Sequence, residues 1–491
     1  MGPAVKINMR LPGYLLDTLV LLCMCGLLLY GASWQFHEDN SDVGKYQCYA
    51  TQFWSGQVAL GSFPIEQCDF ILAPDPNMVV ISQDALVAFL KGHGVPASIV
   101  HFVVAQSAGQ PYEGQPFHSL PYEYPLLTLI PLSLALLAPA NLYQIAFALW
   151  MLLIAVIVYL ALLRWRSRQA AMLYACILTA AGWSTLAARF DIVPSALTLF
   201  AILCAVHKRW HSSYILLALA TLFKFYPAVL LVPFLITHQR AVHGKWYVWR
   251  RWSPLAAYVL VCALVMTLSL LLNVEGTIAP FSYFGYRPVQ VESFAAILLW
   301  LWSLVGHLPL HYALTYGSLN VYSPGSAFVS TLDLILLAAG LLTTFWLQWR
   351  GKVPLVTSCL LTLLIVMITG KVFSPQYLIW VVPLVAYAGV TDALWGLCWL
   401  VIGLLTTWIY PYIYLLVRIF DVPYQAPFYP LATARNLLLL GFVVSVLLYC
   451  ARQRPVERSV PRGEAQQAGE QLPLAVAQGE YQQEGVIREQ K

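Results

Sequence analysis

The stretch YLLDTLVLLCMCGLLLYGA, Tyr14–Ala32, followed about ten residues later by Ser41-Asp42-Val43-Gly44-Lys45-Tyr46, decides how this chain is read. A helix needs about 20 apolar residues to span hydrocarbon, and Tyr14–Ala32 meets that need. Lys6 and Arg10 precede it, as they would precede the core of a secretory leader. The run is longer than such a core, however, and no small-x-small cleavage site follows. It is expected to remain as a first span, with residues 1–11 cytoplasmic, and to deliver Asp42 close to the opposite membrane surface.

The same reading extends along the chain. Of its 491 residues 60% are hydrophobic and 10% charged, whereas a soluble domain carries about 25% charged residues. Apolar runs at 12–33, 142–163, 170–187, 192–206, 213–236, 254–273, 327–349, 353–370, 376–390, 394–414 and 433–450 are the expected spans. Segments 121–138 and 293–305 are apolar but Pro-flanked or short. Segments 192–206 and 213–236 read either as two spans or as broken half-helices meeting near Pro227, which is tolerated where they line a cavity or are buried in protein. The expectation is an all-α polytopic membrane protein of about 11 to 13 spans, its membrane body covering 12–450. No solenoid repeat is evident.

Basic residues mark the cytoplasmic ends by the positive-inside rule: Arg164, Arg166 and Arg168; Lys208 and Arg209; Arg240, Lys245, Arg250 and Arg251; Arg350 and Lys352; Arg452, Arg454 and Arg458. Residues 34–120, the turns near Arg189, Lys224 and Lys371, and the stretches 274–326 and 415–432 then lie outside. The tail 451–491, rich in Gln, Glu and Arg, holds 12 charged side chains and is expected to be cytoplasmic and disordered. The formal charge of +5 calls for no nucleic-acid partner.

The first external loop, 34–120, is the outlier. With Glu123 just beyond it, it carries nearly half of the chain's acids, and connections of that length are functional or disordered. Its aromatic and proline content favours an ordered structure lying on the membrane. The ten cysteines show no metal-ligand spacing. Most sit in apolar runs as small core residues, but Cys48 and Cys68 fall in this loop and can pair if it faces an oxidising space.

Four constellations place polar groups at the outer ends of apolar segments, where an ionisable residue is expensive without a partner or a task. Asp42 can take a proton from a sugar hydroxyl; Ser41 and Asp42 are also good helix N-caps. Glu123-Tyr124-Pro125 can bind an acceptor or anchor a helix start. Arg189-Phe190-Asp191 reads as an internal ion pair, whereas Lys224 of Lys224-Phe225-Tyr226-Pro227 has no acidic neighbour in sequence and suits a phosphate or snorkels to headgroups. Arg287, with Glu292-Ser293 after it, can grip a phosphate bidentately. Lys371 opens the turn before Gln376 and Tyr377, which can bond sugar hydroxyls. His307 and His311 are four apart, but Pro309 between them argues against a helical metal pair.

Together these stretches resemble the GT-C superfamily of membrane glycosyltransferases, and within it the bacterial polyprenyl-phosphate-mannose-dependent mannosyltransferases of glycosyltransferase family 87. The likeness runs in order from Asp42 and Tyr46, with Gly61 and Pro64, through Glu123-Tyr124-Pro125, Arg189-Phe190-Asp191 and Lys224-Phe225-Tyr226-Pro227 to Arg287 with Glu292-Ser293 and Lys371-Val372-Phe373-Ser374-Pro375-Gln376-Tyr377. This chain departs in its long interval between Pro64 and Glu123, and in Leu126, where a second proline is common. The resemblance implies a GT-C-like helical bundle of a bacterial plasma membrane with an extracytoplasmic active site. It implies a polyprenyl-phosphate sugar as donor and a lipid-linked or envelope glycan as acceptor, with the catalytic acid at Asp42.

Charge then assigns the chemistry. In an inverting transfer Asp42 accepts the acceptor's proton, and the departing phosphate needs cations, for which Arg287, Lys224 and Lys371 are the candidates. Tyr46, Glu123, Tyr124, Arg189, Asp191, Gln376 and Tyr377 complete the expected substrate site. The acids of the first loop suffice for a divalent cation, but their spacing specifies no site, and no cofactor is assigned. The competing readings are a flippase or transporter of lipid-linked sugar, which would commonly show related halves, and a scaffold subunit.

Overall fold

Inside hydrocarbon only helices and closed barrels satisfy every backbone amide, and the apolar runs of this chain are helices. The computed structural model describes residues 13–38, 41–72, 83–92, 94–108, 115–242, 245–389 and 392–453. The expectations for residues 1–11 and for the tail beyond 453 fall outside the described residues.

Helix α1 (Gly13–Ala32) leads into α2 (Asp42–Ser55), α3 (Ile65–Leu72), α4 (Gln83–Gly92), α5 (Ala97–Ala108) and the short α6 (Leu129–Leu134). The bundle continues with α7 (Tyr143–Trp165), α8 (Arg168–Gly182), α9 (Ile192–Val206), α10 (Trp210–Phe223), α11 (Leu231–Ala241) and α12 (Trp249–Leu272). After α13 (Val274–Tyr286) and α14 (Phe294–Gly306) come α15 (Ser326–Trp349), α16 (Leu355–Ile368), α17 (Tyr377–Ala388), α18 (Ala393–Thr407), the one-turn α19 (Tyr414–Leu416) and α20 (Phe428–Arg452). Three strands, β1 (Val289–Gln290), β2 (His311–Thr315) and β3 (Ser318–Tyr322), form a small antiparallel sheet in the order β1-β3-β2, with His311 opposite Tyr322.

Among the described residues six helical segments are long and apolar enough to cross a membrane: those of α1, α7, α12, α15, α18 and α20. Shorter apolar helices pack among them, and α16 and α17 are buried along almost their whole length. Helices α12 and α15 instead turn large apolar side chains outward, Leu264 and Leu342 each being 69% exposed. Lipid tails are as apolar as leucine, so such a surface needs no further cover in a bilayer. The chain is an all-α polytopic membrane protein, with the small sheet as the one strand-bearing addition among the described residues.

The basic clusters around Arg166–Arg168, Arg240 and Lys352 sit at helix ends that meet one another. Arg168 pairs with Asp17 of α1 at 3.1 Å, Arg166 donates to the carbonyl of Tyr387, Arg240 to that of Gln348 and Lys352 to that of Ala451. Asp42, Arg189, Lys224 and Lys371 follow the other ends of α1, α8, α10 and α16.

Several span boundaries differ from the sequence reading. Helix α8 stops at Gly182 rather than 187, which leaves 183–191 as turns that carry Arg189. Of the alternatives left open for 213–236, the broken one is seen: Trp210 faces His238 with ring centroids 4.6 Å apart and Tyr214 faces Phe234, so α10 and α11 are antiparallel arms that meet near Pro227. The break falls at Lys224-Phe225, ahead of a tight turn at Tyr226–Leu230 opened by Pro227, a residue that disfavours helix before it. Helix α18 ends at Thr407 instead of 414, because Tyr410 takes an extended conformation before Pro411. Helices α12 and α20 each begin five residues early, at Trp249 and Phe428.

The first loop is ordered where it is described. Ser41 caps α2 by accepting from the Gly44 amide at 3.1 Å. Cys48 and Cys68 form a disulfide that ties α2 to α3. Gln67 adds bonds to the Gly44 carbonyl and the Gln47 side chain, while Gln47 donates to the Ala140 carbonyl, seating α2 on the bundle. One glycine sets how closely α1 meets α8: a side chain at Gly31 would collide with the Trp183 carbonyl.

Candidate functional site

Asp42 is the first residue of α2, placed by the Ser41 cap, and its carboxylate forms an ion pair with Arg189 from the turn after α8. Asp191, two residues on, pairs instead with Lys224 at 2.6 Å. The internal Arg189–Asp191 pair expected from sequence is therefore corrected: each residue takes a partner from a distant element. An ionised group in a low-dielectric site needs an opposite charge close by, and the break after α10 supplies one to Asp191. The Asp191 carboxylate also accepts from the Trp380 indole at 2.5 Å.

Aromatic rings wall this charge cluster. The Lys224 ammonium lies 5.3 Å from the ring centres of Phe190 and Trp380, 5.9 Å from Tyr377 and 6.0 Å from Tyr124, within cation–π range. Trp380 is stacked between Tyr226 and Tyr377, at 4.0 and 3.9 Å. Tyr46, fully buried, packs on Tyr124, Phe147 and Phe190. Burial pushes the phenols of Tyr46 and Tyr124 well above their ordinary value, so both stay neutral.

Arg287 follows α13. Tyr124 lies within electrostatic reach of both Arg287 and Arg189, as does Tyr377, so the two guanidinium groups face one neighbourhood. In each, the Nε atom is buried with no hydrogen-bond partner among the described residues. A buried N–H without an acceptor is costly, and two such donors with Tyr124 as a common neighbour are suited to an incoming anion. Glu123 is half-buried nearby, within reach of Tyr124, Tyr283 and Arg287. The tip of the β2–β3 hairpin points at it. Tyr316 and Gly317 both take positive φ, as a tight hairpin turn demands, and a side chain at Gly317 would meet Glu123, Lys45 and Tyr283.

Other expected residues have more local partners. The Gln376 side chain is buried and accepts from Ser374 at 2.6 Å. Lys371 is exposed; its carbonyl accepts from the Gln290 amide at 2.9 Å, and among the described residues its ammonium makes no ion pair. Glu292 is fully buried with Arg435 of α20 at 2.8 Å; Tyr414 and Asn436 complete its bonds, and Arg435 lies 4.1 Å from the Phe373 ring centre. This network fixes the segment that carries Arg287. His307 caps α14 and His311 begins β2. Among the described residues no group of three His, Cys, Asp or Glu side chains gathers as a metal site.

Sequence reasoning missed Trp380, Tyr410 beside Arg189, the hairpin and Arg435. Only Arg435 carried a signal, as a lone cation in an apolar run.

The fold and these charges define a helical membrane protein with a buried, aromatic-walled cluster of acids and cations at one end. No family model matches the chain, nor does any curated protein sequence. Among solved structures it is similar to ArnT from Cupriavidus metallidurans in the apo state, at 13% identity and a TM-score of 0.40 over 88% of this chain and 76% of that one. At those values the likeness carries no argument about activity.

Proposed function

We propose that this protein is a membrane glycosyltransferase that moves a sugar, mannose, from a polyprenyl-phosphate donor to a hydroxyl of a lipid-linked or envelope glycan, with inversion, at the extracytoplasmic face. One observation carries the reading: the Asp42 carboxylate is ion-paired with Arg189, and the Nε atoms of Arg189 and Arg287, two guanidinium groups that share Tyr124 as a neighbour, have no hydrogen-bond partner among the described residues. The sugar and the side of the membrane rest on the ordered motifs and the positive-inside reading.

The chemistry follows from the charges. The donor is a phosphodiester with one negative charge, and breaking its bond to the sugar leaves a monoester carrying a second. In this reading Arg287 and Arg189 neutralise that gain, so no proton need be given to the leaving group. The acceptor oxygen bonds to the sugar carbon from the opposite face and gives its proton to Asp42. The Asp42 carboxylate is ion-paired with Arg189, and a donor phosphate that draws Arg189 away would free that carboxylate for the acceptor hydroxyl. Lys224, bound to Asp191, holds the aromatic wall, and exposed Lys371 attracts the anion from outside.

The test is transfer of radiolabelled polyprenyl-phosphate mannose to a lipid extract by the purified protein in liposomes. Asp42→Asn keeps the shape and removes the base, so turnover should fall by about 10²–10⁴-fold with donor binding retained. Wild-type turnover in that variant, or movement of labelled lipid across the bilayer without new glycosidic bonds, would overturn the proposal, the second in favour of a flippase.

A further inference from the structure

Between Asp191 and Glu275 the chain has no acid and seven Lys or Arg residues. Lys224 is paired with Asp191 at one end of α10. The other six stand around the α9–α10 turn and the α11–α12 connection, at the opposite end of α10. Those two connections are neighbours: His211 and Ser253 share a hydrogen bond of 3.0 Å, and Trp210 packs on His238.

Two of the six cations are held by the protein, Arg240 donating to the Gln348 carbonyl at 2.6 Å and Arg251 to that of Gln239 at 2.7 Å. Lys208, Arg209, Lys245 and Arg250 are exposed, and none of these four forms an ion pair with a described residue. Aromatic rings stand beside them: Trp246, Tyr247 and Trp249 are 74, 62 and 70% exposed. The Trp252 indole donates to the Trp246 carbonyl at 2.6 Å, which fixes this segment as a tight turn ahead of α12. The Lys245 ammonium lies 5.7 Å from the Tyr247 ring centre. Water is a poor neighbour for three such rings, whereas the boundary between hydrocarbon and water accepts rings and cations together. From there α12 continues with Leu260 and Leu264 turned outward, as a face laid against acyl chains.

We infer that this surface binds an anionic phospholipid, with the headgroup at Lys208, Arg209, Lys245 and Arg250 and the acyl chains along the outward face of α12. The argument is one of charge balance. Rings at headgroup depth place the four cations there too, and the protein brings them no acid. A zwitterionic headgroup carries its own cation and leaves the excess in place; a net-negative one removes it. Other basic residues make no such demand, since Arg168 has Asp17 and Lys352 has the Ala451 carbonyl. The ligand is a component of the bulk membrane, held at the far end of α10 from the Asp191–Lys224 pair, and its binding requires no sugar transfer.

The test uses the full chain in phosphatidylcholine nanodiscs that contain a trace of phosphatidylglycerol bearing a diazirine near its headgroup. After illumination, the label should be found on the segments 206–211 and 245–253. Excess unlabelled phosphatidylglycerol should abolish it and excess phosphatidylcholine should not, and added salt should weaken it. Equal competition by the two lipids would make this surface part of the ordinary lipid shell and overturn the inference. Loss of the label to soluble polyglutamate, with phosphatidylglycerol ineffective, would give the surface to an acidic polypeptide and overturn it as well.

Variants then assign the cations. With Lys208→Gln, Arg209→Gln, Lys245→Gln and Arg250→Gln combined, labelling should fall about tenfold. Arg418→Gln, which removes an exposed cation paired with Asp421, should leave it unchanged. Should the fourfold variant fail to fold, the pairs Lys208→Gln with Arg209→Gln and Lys245→Gln with Arg250→Gln are measured separately, each for a loss of about threefold. Undiminished labelling in folded variants, or an equal loss in Arg418→Gln, would refute the assignment.

Discussion

Replacing Lys224 with methionine keeps the length of the side chain and removes its charge. In the wild-type protein the Lys224 side chain is 12% exposed and that of Asp191 only 1%. Removing one partner of a buried ion pair costs about 3–5 kcal/mol, because the other charge stays behind without compensation. The Asp191 carboxylate would keep just the Trp380 indole bond, so the full range applies to Lys224→Met. The reverse change is milder. In Asp191→Asn the amide oxygen still accepts from Lys224 and Trp380, and four rings between 5.3 and 6.0 Å remain around the ammonium, contacts worth ~0.5–2 kcal/mol. A loss of about 1–2 kcal/mol is expected there. With both changes together, the cost should fall short of the sum by about 1–3 kcal/mol. Denaturant unfolding in detergent micelles, followed by tryptophan fluorescence, reads these differences, and the donor KM is measured on the same samples. If Lys224→Met unfolds at the wild-type denaturant concentration while its KM alone rises, Lys224 is a phosphate ligand and the structural reading of the pair is wrong. Strictly additive costs would refute it as well.

The Glu292–Arg435 pair should behave in the same way at the other side of the site: Arg435→Met alone is expected to cost about 3–5 kcal/mol, and thermal aggregation of the purified variant checks it. Replacing both Cys48 and Cys68 with serine opens a loop of 20 residues in sequence separation, for which about 3 kcal/mol of stabilisation is expected from chain entropy. Protease sensitivity of the first loop, with and without reductant, reads that loss. Arg287→Lys keeps the charge but gives up the two-pronged grip on a phosphate. Donor KM should rise about tenfold, roughly 1.4 kcal/mol, with kcat less affected; an unchanged KM would remove Arg287 from the phosphate site.

Much of the architecture follows from the chain's own chemistry. Tyr14–Ala32 must be a helix because its amides have no other partner in hydrocarbon, and the basic clusters fall between the apolar runs because hydrocarbon excludes charge and Lys and Arg favour one side. The order of Asp42, Glu123, Arg189, Lys224, Arg287 and Lys371 along the chain already marks the same ends of successive helices. What sequence spacing cannot express is which charge meets which. Arg189 and Asp191 are two residues apart, yet each is paired across the bundle, since the turn after α8 points them at different elements. The breaks at Phe225 and Pro411 set the geometry of Lys224 and Tyr410, and their position depends on packing against α9, α17 and the turn after α8. Local composition and bilayer thickness determine that the chain spans the membrane and where it turns. The pairing of buried charges is decided only in three dimensions, because desolvation makes each ion take whichever opposite charge the packed helices bring within reach.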